Sequence, residues 1–125
     1  MRRLALLLSI CLVLAVTAAA LAANPKRGGF YTGTKAGTVS KKLTLKVSQD
    51  RKRAVANLYC ADQHTGKIKN VAISKGSFSG KQKVGSTLVW SVKGSFSSAS
   101  KASAKVNLNS VCDGVGFKVT LTLAP

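Results

Sequence analysis

The chain has 125 residues, of which twenty are lysine or arginine and three are acidic, giving a formal net charge of +17 at pH 7. One histidine and no glutamate leave few groups able to move a proton near neutrality, which speaks against acid–base catalysis by paired carboxylates. The length suits one small domain with a modest core, which gains from a covalent staple.

In chain order, Met1-Arg2-Arg3 is a short basic start and residues 4–16 are a solid apolar run. Small residues follow, and Ala20-Leu21-Ala22 fits the A-x-A cleavage pattern of a secretory signal peptide. The uncharged stretch 4–23 is also long enough to span a bilayer, so a membrane anchor formed by an uncleaved leader is the alternative. Arg2-Arg3 lacks the fuller pattern of a twin-arginine signal. Cys11 lies inside the apolar run and is read as lost with the leader. The resulting division is signal peptide 1–22, flexible tether 23–27 and a single all-β domain 28–125. The expected location is secreted, extracellular or associated with the cell envelope.

Beyond residue 25 the chain alternates with period two. In residues 38–47, Val39, Leu43, Leu45 and Val47 face one way, and Ser40, Lys42, Thr44 and Lys46 the other. Lys41 is the misfit on the apolar side, placed near a strand end. The same alternation runs through 87–96, 102–112 and 115–123, with Trp90, Phe96, Val106 and Phe117 on apolar faces. Such alternation means half-buried strands with one wet face, in antiparallel sheets. Turn-forming clusters at 35–37, 48–52, 65–66, 80–86, 97–101 and 113–114 separate about eight short strands. The expected fold is all-β, a small antiparallel β-sandwich, with a small β-barrel as the alternative.

KGSFSG at 75–80 returns as KGSFSS at 93–98. The first copy glances at a phosphate-binding loop, but Gly76 and Gly80 are one residue too close and Gln82 stands where a magnesium-binding hydroxyl belongs. A structural role fits both copies: the glycine permits a bend or bulge, and Ser-Phe-Ser places Phe78 or Phe96 inward between outward hydroxyls. The order of motifs is GGFYTGTKAGTVSKKLTLKVSQDRKRAVANLYC, SKGSFSG, VKGSFSS and a late CDG. In that order the chain resembles a family of small secreted bacterial proteins of actinobacteria-like genomes. The resemblance implies an all-β domain and supports pairing Cys60 with Cys112; it implies no activity. Relatives often carry a tryptophan in the last strand, where this chain has Phe117 and Val119.

Cys60 and Cys112 are the cysteines left after the leader, and an exported chain meets oxidising conditions, so a disulfide is the default reading. Chain-entropy arithmetic gives such a closure about 4 kcal/mol. Three groups near the cysteines, Asp62, His64 and Asp113, could share one end of the domain. A small hydrolase or inhibitor using that end, with a nucleophile such as Ser110, is the runner-up function. Turn-initiating aspartates and an exposed histidine explain the same residues without catalysis. Cys60, His64 and Cys112 could supply three zinc ligands, but the spacing is not the paired one of structural sites; no metal and no cofactor are expected. The principal reading is a non-catalytic structural or binding module, a monomer. Its charge attracts polyanions: anionic surface polymers, anionic lipid or extracellular DNA. The candidate contacts are Lys42 and Lys46, then Lys67 and Lys69, then Lys81 and Lys83, and finally Lys105 and Lys118, although lysines on strand faces and edges also keep sheets soluble.

Overall fold

The computed structural model describes residues 22–125, and the expected leader lies outside these residues except for Ala22. The chain forms eight strands: β1 (Phe30–Lys35), β2 (Lys41–Val47), β3 (Arg53–Cys60), β4 (Gln63–Ser74), β5 (Ser77–Val84), β6 (Thr87–Phe96), β7 (Lys101–Leu108) and β8 (Phe117–Leu123). Each pairs antiparallel with its chain neighbours, and β8 returns to β1 through Tyr31–Leu123 and Thr32–Thr122, so the sheet closes into an up-and-down barrel. This corrects the expected sandwich in favour of the barrel. Alternation cannot separate the two, because both fold one apolar face inward. What decides is the inner wall. Ala54, Ala56, Ala102, Ala104 and the close-packed Gly33 and Gly94 let the wall draw in around a few large side chains. An eight-stranded barrel encloses little more than such side chains.

Those side chains are Trp90, Tyr31, Phe96 and Phe78, all buried. Phe96 packs between Tyr31 and Phe78, with ring centroids 5.1 and 5.2 Å apart. Burying each large apolar side chain contributes roughly 1.5–3 kcal/mol. Trp90 fits because Gly66 opposite it has no Cβ, and its indole N–H donates to Gln82 Oε1 at 2.7 Å. The outer wall carries serine, threonine, asparagine and lysine. Apolar inside and polar outside is the reverse of a membrane-spanning barrel.

The turns follow from local chemistry. The β3–β4 hairpin has two loop residues, Ala61 and Asp62, both at positive φ (48° and 65°), as a type I′ turn requires. Lys75 and Gly76 do the same between β4 and β5, at 53° and 76°. Between β5 and β6 only Gly85 is positive, at 63°, the pattern of a type II′ turn.

Residues 23–27, expected as a loose tether, are docked under the barrel. Ala23 N donates to Phe96 O at 2.8 Å, Pro25 is fully buried, and Lys26 N donates to the Tyr31 hydroxyl at 2.9 Å. That hydroxyl in turn donates to Ala99 O at 2.5 Å. Composition does not reveal this docking because the partners come from β1, β6 and the β6–β7 loop.

Candidate functional site

The residues singled out from the sequence lie at the disulfide end of the barrel or are spread over its outer wall on β2, β4, β5, β7 and β8. The first region is the end of the barrel that carries the cysteines. Cys60 and Cys112 form a disulfide with a Cα–Cα distance of 5.9 Å across a sequence separation of 52, tying the end of β3 to the β7–β8 loop. Lys41, at the start of β2, points inward and is only 6% exposed. Its ammonium pairs with Asp113 at 2.7 Å, donates to Val115 O at 2.8 Å and lies 5.6 Å from the Phe117 ring centre. The sequence misfit is thus a stopper, satisfied by the loop that the disulfide holds. The Lys41 hydrogen bond, then the Val115 backbone N–H, hold the Asp113 carboxyl below its ordinary range.

This geometry does not assemble a catalytic trio. His64 lies exposed on β4, with Nε2 2.8 Å from Asn57 Oδ1 and its ring tilted on Tyr59 at 5.3 Å. Asp113 belongs to Lys41, and Asp62 occupies the tight β3–β4 turn. Among the described residues no three His, Cys, Asp or Glu side chains gather as a metal site. The sulfur atoms of Cys60 and Cys112 are committed to each other.

The second region is the cationic outer wall. Lys42 and Lys46 both face outward on β2; the Lys42 ammonium sits 5.5 Å from the Tyr59 ring centre, and Lys46 donates to Gly28 O at 2.6 Å. Lys67 and Lys69 on β4 and Lys81 and Lys83 on β5 flank a seam, because pairing between these strands stops at Ala72–Ser79. Gln82 stitches that seam by accepting from Lys67 N at 3.3 Å as well as from Trp90. Lys105 and Lys118 are direct register partners on β7 and β8. Lys93 on β6 is in turn the partner of Lys105, which makes a row of three.

Sequence reasoning missed Lys93. The available signal was parity, since Ser91, Lys93 and Ser95 alternate with the buried Trp90, Val92 and Phe96. Beside the lysines a shallow, open groove of about 690 Å³ runs over β5–β8, with Ser77, Ser95, Ser103 and Thr120 among its walls. Searches of protein families, curated proteins and solved structures find no match to this chain.

Proposed function

We infer that the chain is an exported, non-catalytic β-barrel module that binds anionic polymers outside the cell or at its envelope. The observation that supports this reading best is uncompensated charge. Of the twenty basic side chains, Arg2 and Arg3 fall in the expected leader; the other eighteen face three acids, and Lys41–Asp113 is the single ion pair among the described residues. The other described lysines and arginines carry their charge to the surface, where it raises the local concentration of any polyanion. Guarding the open seam between β4 and β5 accounts for Lys67, Lys69, Lys81 and Lys83, but not for Lys93, Lys105 and Lys118, which stand on strands paired on both sides. The leader pattern, the disulfide and the resemblance to small secreted bacterial proteins are consistent with export.

The hydrolase or inhibitor alternative draws less support, since His64 faces an asparagine and Asp113 is engaged by a lysine. The test is equilibrium binding of the intact exported protein to four probes at low and high salt: heparin, duplex DNA, anionic vesicles and polyphosphate. Binding that weakens linearly in log salt is the expected result. Absence of binding to every probe at low salt would remove the reading.

A further inference from the structure

The outer wall holds one arrangement that folding alone does not explain. Ser79, Lys93, Lys105 and Lys118 stand in one row across β5, β6, β7 and β8, each the direct register partner of the next. The adjacent row, toward the β4–β5 turn, is all hydroxyl: Ser74, Ser77, Ser95, Ser103 and Thr120, again partner to partner. The three lysines are exposed, and with four of these hydroxyl residues they line the groove.

Like charges directly opposite one another on neighbouring strands destabilise a sheet. Here two such pairs follow in succession with no acid to relieve them. Asp50 is bonded within the β2–β3 loop, Asp62 lies in the β3–β4 turn and Asp113 is paired with Lys41. An anionic chain lying across the row turns this local repulsion into a set of favourable contacts.

We propose that the groove over β5–β8 binds a thin, unbranched phosphate chain that carries no bases, with its phosphates on Lys93, Lys105 and Lys118. The proposal rests on the polyanion reading above and narrows it to one face and one ligand class. Neighbouring strands lie about 4.8 Å apart, so the row offers three cationic groups in file, suited to a linear polyanion rather than one small ion. The flanking hydroxyls donate to non-bridging phosphate oxygens. Base stacking has no platform, because the one aromatic at the groove, Phe78, is 3% exposed and faces the core. Lipid insertion has no wedge, because the exposed large apolar residues Phe30, Val84 and Val115 lie off the groove.

The experiment compares the full exported protein with two triple variants of equal charge change, Lys93→Gln/Lys105→Gln/Lys118→Gln and, at exposed lysines off the groove, Lys26→Gln/Lys35→Gln/Lys52→Gln. Each is titrated with inorganic polyphosphate, a glycerol-phosphate polymer, heparin and single-stranded DNA over a range of salt. The row variant is expected to bind the two phosphate polymers at least about tenfold more weakly, with a salt slope shallower by two to three phosphate contacts. The control variant is expected to lose less than about threefold, the share set by its changed long-range field. The ratio between polyphosphate and glycerol-phosphate polymer identifies the source of the phosphate.

Equal losses in the two variants would overturn the proposal while leaving the polyanion reading standing. Tighter binding of heparin or DNA through the row would overturn the ligand class. No binding of any probe by the unaltered protein would remove both readings together. Should the row variant fold poorly, amide NMR shifts of the unaltered protein on adding polyphosphate decide instead. Shifts centred on Lys93, Ser103, Lys105 and Lys118 support the proposal, and shifts elsewhere reject it.

Discussion

Gln82 satisfies two donors at once, the indole N–H of Trp90 and the backbone N–H of Lys67. Replacing it with Met keeps most of the volume but leaves the buried indole without a partner. The expected loss is about 1–3 kcal/mol, read as a lower urea midpoint; an unchanged midpoint would mean the bond contributes nothing. Asp113 gives the protein an acid sensitivity. Its folded pKa lies below the unfolded value, so its contribution to stability is complete above the ordinary carboxyl range and is lost as pH falls through the folded value. Asp50 acts in the same direction, through its bonds from Ser48 and then Lys52. Melting temperature is therefore expected to fall below about pH 4, and Asp113→Asn is expected to flatten that acid limb and to lower stability at neutral pH. An acid limb identical in the variant would exclude Asp113 as its source. At this scale the sequence exposed Lys41 as an anomaly by parity alone. It could not name Asp113 as the partner, because that contact spans most of the domain.

The repeated KGSFS shows how one peptide makes two local structures. In the first copy Lys75-Gly76 is a two-residue turn, and in the second Lys93-Gly94 lies within β6 at ordinary φ. Both copies still deliver a buried phenylalanine flanked by outer-wall serines, as alternation predicts. The difference arises across the sheet. Gly94 is the register partner of Phe78, and a Cβ there would run into Ser103 O and the Phe78 ring. Gly85 is the contrasting case: its φ is positive, but a Cβ would meet nothing within 4 Å. Gly85→Ala is expected to cost about 1 kcal/mol of backbone strain. Gly94→Ala is expected to reach the upper end of the ~1–3 kcal/mol that overpacking costs, since backbone must move. Urea midpoints for the two variants test the order, and the reverse order would contradict the register. Thr65-Gly66, expected as a turn, belongs instead to β4, where the glycine makes room for Trp90; the turn itself is Ala61-Asp62, in which only the aspartate is a turn-former.

For the whole molecule, the disulfide and the docked N-terminal segment close opposite ends of one barrel. The β2–β3 loop and residues 23–29 gather at one end, and the β3–β4 turn and the β7–β8 loop at the other. Reduction is expected to lower stability by about 4 kcal/mol while leaving the far-ultraviolet signature of strands intact at low temperature. Melting with and without reductant measures it, and coincident curves would deny the staple its role. The sequence by itself determined the all-β class, the inward and outward faces of the alternating runs, the cysteine pair and the cationic excess, because each depends on residue order and composition. Only the tertiary structure decided barrel over sandwich, the pairing of Lys41 with Asp113, and the alignment of Lys93 beside Lys105 and Lys118. Those depend on inter-strand register and on how closely small inner residues let the wall curve, and period-two alternation is blind to both.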